Sequence, residues 1–178
     1  MRTLTRLGAL GVLLGVGAAL LGARDQGSPP APSATGPQEV TVAGLVMDPN
    51  THQPTIVLQG KRDKRTFAMV IGVAEATGIA FPLQNVTPPR PLTHDLFLTL
   101  FGRLKVSVTK VVITALRDNT YFATLHLAAN GAPMELDSRP SDAIALAIRS
   151  KAPVFAEERV FEKSERVPAG PGGPAPRI

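Results

Sequence analysis

The stretch "KVSVTKVVITALRDNTYFATLHLAAN", Lys105 to Asn130, decides the fold. Two runs rich in Val, Ile, Thr and Tyr flank "RDN", a pattern that predicts a β-hairpin with a turn tolerant of positive φ. Asp118 and Asn119 therefore read as turn residues before any chemistry is considered, with Tyr121 a polar handle beside them. His126 falls inside the second strand, with no partner identifiable from the sequence.

Downstream, "APMELDS" predicts another strand, "PSDAIALAIRSKA" a helix with Pro140 in its first turn, and "PVFAEERVFEK" a short strand with a final helical turn. Upstream, "THDLFLTLFGRL" places Leu96, Leu100, Phe101 and Leu104 at helical spacing. Thr93 or His94 would start that helix, with Asp95 in the first turn where the helix dipole favours a carboxylate. "VAEATGIAFPLQN" begins as a helix, but Gly78 and Pro82 predict one that is short or bent. "EVTVAGLVMD", "TIVLQG" and "TFAMVIG" read as three strands, the last two joined through "KRDKR" as a hairpin. Strands paired as hairpins with helices between them predict an α+β fold: a mixed, mostly antiparallel sheet with about three helices, in a single domain.

The chain has 178 residues, 44% hydrophobic and 19% charged, enough for one domain with a real core. Residues 1–23 carry Arg2 and Arg6 followed by an uncharged run to Ala23, the pattern of a signal peptide or N-terminal anchor. Five glycines in that run weaken the anchor reading. An exported protein is expected, in the periplasm, cell envelope or medium, with an N-terminal membrane tether as the alternative. Residues 24–38 form a Pro-rich linker and 164–178 a Pro/Gly tail read as disordered, leaving 39–163 as the folded domain. The absence of Cys excludes disulfides, thiolate metal sites and a Cys nucleophile. Net charge is +5; without Arg2 and Arg6, 19 − 2 = 17 basic residues face 14 acidic ones, or +3, which accommodates a polyanion without demanding one. With no Trp, one Tyr and seven Phe, contacts to a nucleic acid would be dominated by phosphate.

Four places hold candidate chemistry. "RPLTHD" offers the Arg90 guanidinium, the His94 imidazole and the Asp95 carboxylate at a helix start, although Thr93 and Asp95 are also ordinary capping residues. "ELDSRPSDAIALAI" places Asp137 at a strand end and Arg139 and Asp142 at the following helix start, so that all three can point to one sheet edge. Two carboxylates there could hold a divalent cation and the Arg a phosphate; equally, Arg139 could bridge Asp137 and Asp142 as a structural network with Ser138 or Ser141 as cap. Glu75 sits in an apolar, Ala-rich setting, either on a wet helix face or as a buried ligand. Lys61, Arg62, Lys64 and Arg65 crowd one loop, where they serve either solubility or sequence-blind phosphate contact. His52 lies in a Pro/Asn turn. There is no phosphate-binding P-loop, dinucleotide fingerprint, H-E-x-x-H or G-x-S-x-G motif.

Taken in order, "MVIGVAEATGIA", "RPLTHDLF", "LRDNTYFATL" and "LDSRPSDAIALAIRSKAPVF" resemble the bifunctional nuclease family, over nearly all of Val40 to Phe161. The resemblance implies a nuclease (DNase and RNase) with an α+β domain that self-associates. The polar residues it marks are Glu75, Arg90, His94, Asp95, Asp118, Asn119, Asp137, Arg139, Ser141 and Asp142. On that basis the expected function is hydrolysis of DNA and RNA phosphodiesters with little sequence preference, assisted by Mg or Mn. His94, Asp95, Asp137, Arg139 and Asp142 form the expected catalytic set, and Asp137, Asp142 and Glu75 the expected metal ligands. Arg90, Lys61, Arg62, Lys64 and Arg65 are expected to bind substrate phosphate. The competing expectation is a non-catalytic, homo-oligomeric binding module of the cell envelope.

Overall fold

The computed structural model describes residues 36–49 and 51–164; the expected signal or anchor, most of the linker and the tail lie outside the described residues. The hairpin is present as β4 (Val106–Arg117) and β5 (Thr120–Ala129), turned by Asp118 at φ 47° and Asn119 at φ 59°. Asn130 (φ 50°) and Gly131 (φ 85°) make the next turn into β6 (Ala132–Ser138), which lies antiparallel to β5 at a sheet edge. On the other side of β4, β7 (Val154–Ala156) pairs in parallel and β1 (Gln38–Met47) pairs antiparallel with β7. β2 (Pro54–Gly60) and β3 (Thr66–Val70) complete a mixed, seven-stranded sheet in the order β3-β2-β1-β7-β4-β5-β6.

Four helices complete the fold: α1 (Val73–Leu83), α2 (Thr93–Arg103), α3 (Pro140–Ser150) and the short α4 (Glu158–Lys163). The α+β expectation holds. Strand alternation buries Ile56, Leu58, Phe67, Val111, Ile113 and Leu125 on one face, and Ala143, Ile144, Ala145 and Ala147 of α3 are fully buried in the same cluster. Three alanines in five residues let the α3 backbone lie close to the sheet. Phe67 stacks on Tyr121 at 6.0 Å and meets Phe161 edge-on at 5.1 Å. The Tyr121 hydroxyl lies 3.0 Å from the Ala68 carbonyl of β3, so two strands far apart in the sheet order meet across the core.

α1 runs for 11 residues, with Pro82 in its last turn. α2 starts at Thr93 with Asp95 in its first turn, as expected; its N-cap is Leu92, whose N–H donates to Asp95 Oδ2 at 2.9 Å. Of the spaced apolar residues of α2, Phe101 joins the core while Leu96 (64% exposed), Leu100 and Leu104 face solvent.

The basic loop carries ion pairs of its own. Lys61 pairs with Glu39, Arg62 lies 3.8 Å from Glu158, and Arg65 forks onto Glu158 at 2.6 and 2.8 Å while its guanidinium covers Phe161 at 4.8 Å. Lys64 turns the loop at φ 62°. Two of these four cations thus clasp the β2–β3 hairpin to α4, and Lys61 ties it to β1. The loop also sits at the end of β3 remote from α1, about 17 Å away along a five-residue strand. Burial pushes the Asp63 carboxyl up, but hydrogen bonds from Arg65 and Gln38 override it and hold the pKa at about 2.

Arg65→Ala should therefore lower stability by on the order of 2 kcal/mol, between the exposed and buried limits for ion pairs, as read from urea melts. Because Asp63 titrates at about 2 when folded, below an unfolded value of about 3.9, its contribution is complete above pH 4 and fades as pH falls toward 2. Melts at pH 7, 4 and 2.5 should show that loss in the native chain, and a smaller one in the Arg65→Ala chain.

Candidate active site

Side chains from the first turns of α1, α2 and α3 meet at an open cleft of about 350 Å³, lined by Glu75, Gly78, Thr93, His94, Arg139 and Asp142 among others. Each acid sits in a first turn, where backbone N–H groups and the helix dipole favour negative charge. Arg139, the α3 N-cap residue, donates from Nε to Asp142 Oδ2 and from Nη2 to Glu75 Oε1, both at 2.7 Å. Its hydrogen bonds to Asp142, then to Glu75, raise its pKa further above the ordinary arginine value. Its side chain is nonetheless 66% exposed, against 17% for Glu75 and 33% for Asp142.

His94 is nearly buried. Its Nε2 lies 3.2 Å from Asp142 Oδ1, and the opposite ring edge rests on Gly78, where an added Cβ would come within 2.8 Å of both Cε1 and Nδ1. The imidazole thus reaches the cleft through Asp142. Gly78 is needed for this contact, which explains a glycine inside a helix.

The adjacent Asp95 points elsewhere. Its Oδ1 accepts from Arg149 Nε at 2.6 Å, while Arg149 Nη1 donates to the carbonyls of Gly78 and Ala145. One guanidinium, 9% exposed, therefore ties α1, α2 and α3 together. Burial pushes the Asp95 carboxyl up, but Arg149 and the Leu92 N–H outweigh it and leave the pKa below the ordinary value. Arg149 was not among the residues expected from sequence. The signal was its position seven residues after Asp142, two turns along the same face of α3.

Glu75, His94, Arg139 and Asp142 are brought together; Asp137 is not. In the β5–β6 register Ser138 faces Ala123 on the helix-covered side, whereas Asp137 faces Thr124 on the other side of the sheet. Strand alternation thus separates Asp137 from Asp142, correcting the expectation that both point to one edge. His126 and Glu135, 3.2 Å apart, share that outer face with Asp137. Arg90 is exposed in the loop between α1 and α2, Ser141 is buried in the first turn of α3, His52 occupies an exposed turn, and Asp118 and Asn119 serve the hairpin. Among the described residues no three His, Asp or Glu side chains form a metal-binding group. The cation between Glu75 and Asp142 is the Arg139 guanidinium, so the expected set of Asp137, Asp142 and Glu75 does not fit a preformed metal site.

Arg149→Met should cost about 3–5 kcal/mol in a denaturant melt, because it strands Asp95 and two carbonyls, and Arg149→Lys should not restore the fork. Gly78→Ala tests the His94 contact by its sign. Alanine normally gains about 1 kcal/mol over glycine within a helix, so a net loss reports the clash with the imidazole.

Three similarities to known proteins bear on this site. The family model described as the bifunctional nuclease domain matches residues 56–168, which include all three helix starts and the whole cleft. Two uncharacterized proteins from strains of Mycobacterium tuberculosis are each 36% identical over 126 residues, spanning 71% of this chain and 75% of theirs. Bifunctional nuclease 1 of Oryza sativa subsp. indica is 35% identical over 81 residues, 44% of this chain but 24% of the plant protein. With the model match covering well over half of its length, this chain belongs to the bifunctional nuclease domain family.

Proposed function

We propose that the cleft hydrolyses phosphodiester bonds of DNA and RNA, with Arg139 meeting the scissile phosphate, Asp142 taking a proton from the attacking water and Glu75 holding Arg139. Family membership supports nuclease chemistry, and the plant relative carries the name bifunctional nuclease. The observation that carries the assignment is the state of Arg139. It uses one N–H of Nε and one of Nη2 on carboxylates, so three of its five N–H donors have no acceptor among the described residues, and two thirds of its side chain faces the cleft mouth.

In this reading a non-bridging phosphate oxygen takes the remaining Arg139 donors. As the guanidinium turns toward the phosphate, Asp142 Oδ2 is released and accepts a proton from the attacking water. The water oxygen bonds to phosphorus, the ester P–O bond breaks, and the departing oxygen takes a proton from solvent at the open cleft. His94 is a positioning residue, holding Asp142 through Oδ1. Glu75 keeps Arg139 in place between turnovers, and exposed Arg90 steers the neighbouring phosphate. No step uses the 2′-hydroxyl, which fits a site indifferent to the sugar. The Mg or Mn expectation enters no step; cleavage in EDTA measures it directly. Export, expected from residues 1–23, makes nucleic acid outside the cytoplasm the proposed substrate.

A second reading, the oligomeric binding module, draws on the solvent-facing Leu96, Phe97, Leu100 and Leu104 of α2, an apolar face suited to self-association. The two readings part on Asp142→Asn. Under the nuclease reading the purified chain cuts single-stranded DNA and RNA, and Asp142→Asn lowers kcat about 10²- to 10³-fold with a nearly unchanged melting temperature. Arg139→Ala should lose activity too, whereas Asp137→Asn on the opposite sheet face should stay within about twofold of the native rate, inside the usual tolerance for a remote surface change. A folded Asp142→Asn chain with native turnover would leave the binding module as the better account.

A further inference from the structure

We propose that the pocket next to this cleft is a nucleobase subsite, which holds the base of a nucleotide flanking the scissile phosphate; this rests on the nuclease reading above. The pocket, about 310 Å³, is walled by Phe81, Val86, Pro88 and Pro91 and floored by Asp95 and Arg149. It shares a wall with the cleft. Pro91 and Asp95 line the pocket, while Leu92, Thr93 and His94 between them line the cleft, so one turn of chain divides the two.

The floor holds an unspent donor. Arg149 engages Asp95 through Nε and two carbonyls through Nη1, leaving Nη2 without an acceptor among the described residues, on a side chain nine-tenths buried. Gln38 Oε1 and Ser138 Oγ are the buried, unsatisfied side-chain atoms among the described residues, so Nη2 is reached by solvent and can give its N–H groups to a bound carbonyl oxygen in exchange for water. Asp95 beside it retains lone pairs on a carboxylate held below its ordinary pKa, so donor and acceptor stand side by side at the base of the pocket. The walls above them are largely apolar: one phenyl ring and three pyrrolidine rings, those of Pro82, Pro88 and Pro91, suited to the face of a planar heterocycle.

A planar ring whose edge carries a carbonyl next to an N–H describes guanine, thymine and uracil; adenine lacks the carbonyl. The geometry also suits the proposed reaction. Arg139 and Arg149 stand ten residues apart on α3, about 15 Å at the helical rise, a span of one to two nucleotides in an extended strand. Arg90 is exposed in the loop that supplies Val86, Pro88 and Pro91 to the pocket wall.

The test leaves the protein intact and alters the ligand. Short single-stranded DNA oligonucleotides carrying one abasic site, walked along the sequence, are compared with the unmodified strand for kcat/KM and, by fluorescence anisotropy, for Kd with the full-length chain. At one position relative to the cut, the abasic site should reduce kcat/KM and affinity about tenfold, the size of a lost base stack. Adenine at that position should be poorer than guanine or thymine by about fivefold, equivalent to one hydrogen bond. Phe81→Ala should flatten both differences. A cleaved series with no position-dependent penalty would overturn the subsite while leaving the nuclease standing. If nothing is cleaved the nuclease reading fails, and the anisotropy arm still decides the subsite: equal affinity for intact and fully abasic strands would overturn it.

Discussion

The contact on which the rest of the site depends is the Arg149 guanidinium buried between three helices. A buried charge must be paired and hydrogen-bonded or it costs several kcal/mol, so Arg149 fixes at once where Asp95 of α2 and the Gly78 carbonyl of α1 stand relative to α3. With Asp95 held, the neighbouring His94 is directed about 100° around the helix, onto Asp142. With α1 held, Gly78 provides the flat backbone against which the imidazole lies, and Glu75, one turn earlier, is brought to Arg139. The cleft is the consequence of a strut that takes no part in it.

The sheet sets the second constraint through its period of two. Arg139 follows directly from β6 and its backbone starts α3, so the last residues of the strand decide which side chains accompany it to the helix side. Ser138 does and Asp137 does not, because the β5–β6 register puts them on opposite faces. Two carboxylates five residues apart in sequence thereby serve different surfaces. The partner that Arg139 takes in place of Asp137 is Glu75, 64 residues away in the chain and on another helix.

This explains what was legible in the sequence and what was not. Val/Ile/Thr runs around Asp118 and Asn119, Pro140 at a helix start, and apolar alternation are local signals, and they gave the hairpins, the helices and the α+β class. The pairing of β7 in parallel with β4 and the closure of Tyr121 onto Ala68 depend on contacts between distant segments, which periodicity does not encode. Within the site, Glu75, His94, Arg139 and Asp142 were readable as candidates by residue type and family resemblance. Their partners were not, because each partner lies on another element. The basic loop is a case of the same kind: Arg65 is a surface cation by sequence and a clasp on Glu158 by fold. The α2 stripe had helical spacing but a solvent face, since spacing reports amphipathicity and not what covers the apolar side.

Magnitudes separate the two arginines of α3. Both are held by carboxylates at under 3 Å, so distance alone would give them one role. Arg139, however, is 66% exposed, where an ion pair is worth about 0–1 kcal/mol, and a phosphodiester anion can compete with either carboxylate for its donors. Arg149 is 9% exposed, where removing one partner costs about 3–5 kcal/mol, and no ligand in water displaces Asp95 from it. The exposed residue can exchange partners during turnover; the buried one can only accept an additional one. Of these two kinds of site, the first suits a reacting phosphate, whose contacts must change along the reaction, and the second suits a base that has only to be held.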